Sequence, residues 1–237
     1  MVLSLSKNDA IKIIEDVKKD GRRVLTEYES KKILSAYGIP ITKEKLAKDL
    51  DESIKFAKEI GYPVVLKIVS PEITHKTELG GVKINIKSQK ELEEAYNDLM
   101  KIKDKVKNAK IHGVLVQEMV QKGNEVILGM TQDPQFGPVV MFGLGGVFVE
   151  VLKDVSFRIP PLTRRDAEEM IKEIKAYPIL EGARGGVVSD INALIDCILK
   201  LSELSLDLEN ELKEMDINPL FAMEKGATAV DSLILLR

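Results

Sequence analysis

Near the C-terminus, three residues carry oxygen donors at a spacing that can gather them around a cation. Asp216 and Asn218 stand two apart in the run Met215-Asp216-Ile217-Asn218-Pro219-Leu220-Phe221-Ala222, and Asp231 lies in Ala227-Thr228-Ala229-Val230-Asp231-Ser232-Leu233-Ile234. Both runs read as strands, with residues 223 to 226 as a hairpin loop. That register pairs Ala222 with Ala227 and sets Asn218 opposite Asp231. Strand side chains alternate with period two and opposed residues share a face, so Asp216, Asn218 and Asp231 project to one side. Carboxylate and carboxamide oxygens on rigid backbone suit Mg²⁺ held against a polyphosphate, where few ligands come from protein and the rest from phosphates and water. A solvated polar face on an ordinary hairpin has the same sequence, and a slip of one residue scatters the three groups.

Other candidates lie upstream. Lys67 interrupts the apolar run Val64-Val65-Leu66-Lys67-Ile68-Val69. A buried ammonium is costly unless it meets an anion. That anion is a nucleotide phosphate, or else Lys67 lies at a strand edge and reaches water or a carboxylate. The following loop, Ser70 to Gly81, places His75 beside Lys76 and ahead of the pair Gly80-Gly81. A neutral imidazole nitrogen is a competent phosphoryl acceptor; a bystander histidine is the plain alternative. His112 has no such neighbours and receives no role. Gln117-Glu118-Met119-Val120 ends a strand, where backbone groups can bind an adenine edge with Met119 packed on the ring. Glu125 can accept a ribose hydroxyl or serve as an edge-strand carboxylate. In Gly143-Leu144-Gly145-Gly146 the glycines let backbone approach a phosphate, or form a hairpin turn. Neither a GxGxxG fingerprint nor a P-loop occurs in the chain. Arg158 and Arg184 are candidate phosphate partners.

The elements that must position these groups follow from periodicity and caps. Helices are expected after Ser6, with Asp9 closing a capping box; after Thr26, with Glu29; and over Asp51 to Ile60, closed by Gly61. A strand follows from Pro63 to Val69, with a partner at Gly81 to Ile86, and Ser88 caps a long helix reaching Val106. From Ile111 closely spaced strands take over: 114 to 120, 126 to 131, 139 to 142, 147 to 152 and 156 to 159. Helices from Thr163 to about Ala176 and from Ser189 to about Leu208 precede the hairpin. The expected fold is α+β in two lobes, residues 1–112 and 113–237, the second an antiparallel sheet backed by two helices.

Composition narrows the class. The 237 residues can bury a sizeable core, and 44% hydrophobic with 31% charged residues excludes a disordered or fibrous chain. A net charge of −3 with interleaved signs leaves no nucleic-acid footprint. No apolar run approaches a membrane span, and the N-terminus does not read as a signal peptide, so a cytoplasmic protein is expected. The single cysteine, Cys197, is expected in the core. Abundant Lys and Glu without Trp are compatible with a thermophile.

Taken together, the ordered motifs resemble an ATP-grasp unit, and more narrowly the β subunit of ADP-forming acetyl-CoA synthetase, related to succinyl-CoA synthetase. They are Leu25-Thr26-Glu27-Tyr28-Glu29, Tyr37-Gly38-Ile39-Pro40, Val64-Val65-Leu66-Lys67, Thr74-His75-Lys76, Gly80-Gly81-Val82-Lys83, Val116-Gln117-Glu118-Met119, Asp133 to Pro138 and Asp216-Ile217-Asn218-Pro219-Leu220. The resemblance implies ATP or ADP with Mg²⁺, the nucleotide lying between two lobes. It implies Lys67 as the phosphate-holding lysine, Glu118, Met119 and Val120 as the adenine connector, and Glu125 as a ribose or triphosphate-site acid. Lys76, Gly145 and Gly146 complete the nucleotide set. Asn218 and Asp231 resemble the Mg²⁺ ligands, Asp216 the acid that steadies a phosphohistidine, and His75 the loop histidine that relays phosphate. The chain's end just after Asp231 favours the acetyl-CoA type over the succinyl type. The implied reaction is acyl-CoA + ADP + phosphate ⇌ carboxylic acid + CoA + ATP. A CoA-binding α subunit carrying the first phosphohistidine is the implied partner, in an α2β2 assembly. Two rivals stand beside it: another ATP-grasp carboxylate ligase working through acyl phosphate alone, and a non-catalytic nucleotide sensor.

Overall fold

A computed structural model describes residues 5–73, 76–106, 109–121, 123–146 and 153–237. The chain begins with two helices, α1 (Lys7–Lys19) and α2 (Glu27–Ala36). Each opens on a capping box, Ser6 with Asp9 and Thr26 with Glu29, as their spacing predicts. On α1 the buried residues Ala10, Ile14 and Val17 recur every three to four positions, the stripe an amphipathic helix turns to a core.

The chain then builds a smaller unit, Thr42–Val120. Its elements are β1 (Glu44–Ala47), α3 (Leu50–Ile60), β2 (Val64–Val69), β3 (Val82–Ile86), α4 (Gln89–Met100), the short α5 (Ile102–Lys105) and β4 (Gly113–Glu118). The strands form one antiparallel sheet in the order β1-β4-β2-β3. Val64, Leu66 and Ile68 alternate into a core shared with Leu92 and Leu99 of α4. Strand β1 is absent from the sequence reading, and the helix expected from Ser88 to Val106 is interrupted at Lys101.

The larger unit contains Met1–Ile41 and Gln121–Arg237. After β4 come β5 (Asn124–Asp133), β6 (Gly137–Leu144) and β7 (Val155–Arg158), then α6 (Arg164–Glu173), the short α7 (Tyr177–Leu180) and α8 (Ile191–Asp207). Strands β8 (Leu212–Ala222), β9 (Ala227–Ala229) and β10 (Ser232–Leu236) complete it. The sheet runs β10-β8-β5-β6-β7, with β9 paired to β8. One sheet face, including Val126, Leu128, Phe142, Met215 and Ile217, joins α1, α2, α6 and α8 in one core. Cys197 lies in that core, and burial pushes its thiol up to about 11. The strand expected at 147 to 152 falls outside the described residues.

The lobe boundary expected at 112/113 is corrected. The division falls at 41/42 and 120/121, because the N-terminal helices are bonded to the terminal strands. Leu25 N–H donates to Ile234 O at 3.0 Å, Leu236 N–H to Arg23 O at 2.7 Å, and Ala229 N–H to Pro40 O at 2.8 Å. Both ends of α2 are thus tied to the ribbon formed by β8, β9 and β10. No helix among the described residues is long and apolar enough to cross a membrane.

Gly113, with φ +146°, lets β4 start against β1, since a Cβ there would lie 2.2 Å from Ala47 O. Gly113→Ala is expected to cost on the order of 2 kcal/mol, read as a lower urea midpoint. An unchanged midpoint contradicts the β1–β4 contact.

Candidate functional site

The terminal ribbon adopts the register expected of it. Ala222 pairs with Ala227, Phe221 with Thr228 and Leu220 with Ala229, and further along Ser232 pairs with Ile217 and Leu233 with Asp216. Between these stretches Val230 N–H donates to Pro219 O at 3.0 Å and Asn218 N–H to Asp231 O at 3.2 Å. Asn218 and Asp231 are therefore opposite one another, with Asp216 two residues away. Ser232 touches both residues: its N–H donates to the Asp231 carboxylate Oδ1 at 2.8 Å and its hydroxyl to the backbone carbonyl of Asp216 at 2.9 Å.

Against β5 the register of β8 shifts between Val126 and Leu128, placing Asn218 and Pro219 at an irregular point. Proline has no N–H for a ladder, so such a point suits it. Val126 and Leu128 point into the core, so Glu125, Ile127 and Gly129 point to the other face with Asp216, whose partner on β5 is Gly129. Glu125 is exposed on that face.

The ribbon crowds negative charge into a half-buried place. Burial first, then the charges of Asp231 and Glu214, push the Asp216 carboxyl up to about 6, while the Asn218 carboxamide pulls the other way. Asp216 Oδ1 is buried without a hydrogen-bond partner among the described residues. Two carboxylates crowded together with an orphaned oxygen are stabilised by a divalent cation, and the oxygen donor set fits Mg²⁺. Mg²⁺ typically takes one or two protein carboxylates, with phosphate and water completing its shell.

The ribbon's turn and flank are also clamped. Asp190, rather than the expected Ser189, caps α8, its Oδ1 accepting from Ala193 N–H at 3.0 Å while Oδ2 accepts from Gly226 N–H at 2.9 Å. These bonds hold its carboxyl below the usual carboxylate range. On α2, Lys31 and Glu27 form a fully buried pair at 3.1 Å, and Lys31 Nζ donates to Val230 O at 3.1 Å. Sequence reading gave Lys31 no role. Its signal was the Glu27–Lys31 spacing of four on a face shared with buried Ser30 and Leu34.

Gly145 and Gly146 follow β6. Gly145 N–H donates to Glu125 O at 2.7 Å, and a Cβ there would meet that oxygen at 3.1 Å. The expectation that both glycines offer phosphate-binding N–H groups is corrected: Gly145's is used in the sheet. Arg158 is paired with Glu173 at 2.7 Å. Arg184 falls in a short 3₁₀ turn, Ala183–Gly185.

In the smaller unit, Lys67 occupies the middle of β2 between Val82 of β3 and Leu115 of β4, only 4% exposed, which removes the strand-edge alternative. It lies on the sheet face opposite the helix-packed core, with Leu115 and Gln117. Lys76 follows, its carbonyl accepting from Gly81 N–H at 2.7 Å. His75 lies outside the described residues. At the end of β4, Glu118 N–H donates to Lys43 O at 2.9 Å and its Oε1 accepts from Lys43 N–H at 2.7 Å. Met119 N–H donates to Pro63 O at 3.4 Å. The expectation of free adenine-facing donors at Glu118 and Met119 is corrected, since both N–H groups are used within the unit. Met119 is exposed, and Val120 is half-buried.

Comparison with known proteins adds an independent line. An ATP-grasp domain family model matches residues 16–236. Over 234 residues the chain is 53% identical to the subunit beta of acetate–CoA ligase (ADP-forming) II of Pyrococcus furiosus, covering 98% of this chain and 99% of that one. A solved structure of Ca. Korarchaeum cryptofilum dinucleotide forming acetyl-coenzyme A synthetase 1, in complex with coenzyme A, Ca-AMPCP and HgCl⁺, is 48% identical with a TM-score of 0.93, covering 98% and 100% of the two chains. Another from the same organism, with coenzyme A and Mg-AMPPCP and a phosphohistidine segment pointing towards the nucleotide binding site, is 44% identical with a TM-score of 0.86, covering 96% and 100%.

The raised Asp216 pKa sets a pH-dependent stability. A carboxyl at about 6 in the folded chain and 3.8 when unfolded opposes folding increasingly as pH rises through that window, and fully above it. Asp216→Asn, without Mg²⁺, is therefore expected to be more stable than the parent by on the order of 2 kcal/mol at about pH 7.5, with the gain vanishing towards about pH 4. Equal urea midpoints at both pH values contradict this.

Proposed function

The chain belongs to the ATP-grasp family, among the β subunits of ADP-forming acetate–CoA ligases, and from that premise we propose that it is the nucleotide-handling half of an acid–thiol ligase. The reaction is acyl-CoA + ADP + phosphate ⇌ carboxylic acid + CoA + ATP, through phosphohistidine. The observation that carries the reading is the ribbon, where Asp216, Asn218 and Asp231 share one face in the expected register and Asp216 keeps a buried oxygen with no hydrogen-bond partner among the described residues.

Asn218 and Asp231 hold Mg²⁺, which when bound neutralises charge on the nucleotide phosphates. Lys67 of β2 is the phosphate-holding lysine, with Lys76 and the Gly146 backbone as further phosphate contacts. Glu125 accepts a ribose hydroxyl or steadies the triphosphate. Glu118 to Val120 form the adenine connector, Met119 lying on the ring, with Glu118 acting chiefly by fixing the connector to Lys43. His75 carries the phosphoryl group. In the ATP-forming direction the phosphorus–nitrogen bond to His75 breaks as an ADP β-phosphate oxygen attacks in line, and the imidazole is the leaving group. Asp216 hydrogen-bonds the imidazole and keeps it oriented. A covalent carrier spares the phosphoryl group from water in transit.

A separate CoA-binding α subunit forms the acyl phosphate and carries the first phosphohistidine, in an α2β2 enzyme. Its substrates, ADP and CoA, are those of the cytoplasm, where we place it.

The test is reconstitution with that subunit. Asp231→Asn is expected to lower ATP formation by about a hundred-fold or more, and His75→Ala to remove acid-labile phosphate from this chain together with ATP formation. Parental turnover by Asp231→Asn contradicts the metal site. Turnover by His75→Ala favours instead a ligase working through acyl phosphate alone.

A further inference from the structure

Lys31 is fully buried on α2, an expensive place for an ammonium. Glu27, one helical turn earlier and at the positive end of the helix, offsets its charge at 3.1 Å. The ammonium then reaches 199 residues along the chain to the carbonyl of Val230, at 3.1 Å. Val230 immediately precedes Asp231. In an antiparallel pair, residues that bond once usually bond reciprocally. Val230 N–H donates to Pro219 O, but Pro219 has no N–H to return to Val230 O. Lys31 brings a donor to that carbonyl from another element.

We propose that Lys31 is a positioning residue for the Mg²⁺-binding end of the ribbon: its ammonium, neutralised by Glu27, holds the Val230 carbonyl and so sets the backbone that carries Asp231. The proposal rests on the reading of Asp231 as a metal ligand. Apolar side chains at both positions would fill the same space without burying charge, so packing alone does not account for the pair. Leu25 N–H to Ile234 O and Ala229 N–H to Pro40 O tie the flanking segments of α2 to the ribbon. Lys31 therefore acts from a helix anchored on both sides of its target. Outer partners of this kind orient a ligand group without touching the metal.

The experiment is a Mg²⁺ titration of ATP formation at saturating ADP, in the reconstituted two-subunit enzyme. Glu27→Leu with Lys31→Met removes both charges together, leaving neither partner buried alone. The concentration of Mg²⁺ for half-maximal rate is expected to rise on the order of ten-fold, with KM for ADP at saturating Mg²⁺ and the thermal midpoint of the apo chain within error of the parent or above it. Lys31→Gln, which loses the charge and shortens the donor, is titrated in parallel, so that whichever variant folds gives the answer. A parental Mg²⁺ response in a folded variant overturns the proposal, as does a rise in KM for ADP equal to the Mg²⁺ shift. Asp231→Asn separates the two levels. If it too leaves the Mg²⁺ response unchanged, the metal reading itself fails; if it shifts the response while the Lys31 variants do not, only the role of Lys31 fails.

Discussion

Two carboxylates on one face of a two-stranded ribbon repel each other, and the fold keeps them there. Asp216 and Asp231 are brought together by a register that holds from the turn at residues 223–226 to Leu235, so neither can turn away without moving a whole strand to its other face. Burial adds to the repulsion and pushes the Asp216 carboxyl up to about 6, one of its oxygens having no hydrogen-bond partner among the described residues. Such an arrangement opposes folding unless something positive arrives. A divalent cation carrying phosphate, as proposed for this site, would turn that local cost into binding selectivity.

The surrounding architecture holds this strained face still. Asp190 spans the start of α8 and the ribbon turn, so the helix packed into the sheet's core also fixes where the hairpin reverses. Ser232 holds the Asp231 carboxylate through its N–H and the Asp216 backbone carbonyl through its hydroxyl. The N-terminal segment adds a third brace, which explains why residues 1–41 join the larger unit although they precede the smaller one in sequence. On β5, Gly129 opposes Asp216 and contributes no side chain that could fill the space beside the acid.

Features governed by local chemistry were legible in the sequence. The capping boxes at Ser6, Thr26 and Thr163 formed as their spacing requires, and the hairpin register followed from period-two alternation and a four-residue loop. What escaped depends on distant partners. Strand β1 is only Glu-Lys-Leu-Ala, too short to show alternation, and exists because β4 pairs with it. The N–H groups of Glu118 and Gly145 look available in sequence, but Lys43 and Glu125 take them. The bonds from Arg23, Leu25 and Pro40 to the terminal strands leave no local trace, so the lobe boundary was misplaced. Lys31 reads as an ordinary helix-surface lysine until the ribbon is laid over it. At Lys67 the sequence left a strand-edge position open, and pairing with β3 on one side and β4 on the other makes the position a central one.

In the proposed function, the ribbon's oxygens hold the metal of a metal–nucleotide complex. A crystal structure of the chain with an ADP analogue and Mn²⁺, located by its anomalous signal, tests it most directly. The account predicts one ion within about 2.2 Å of both the Asn218 carboxamide oxygen and an Asp231 carboxylate oxygen, with nucleotide phosphate completing its shell. An ion bound to phosphate but remote from Asn218 and Asp231 would contradict it.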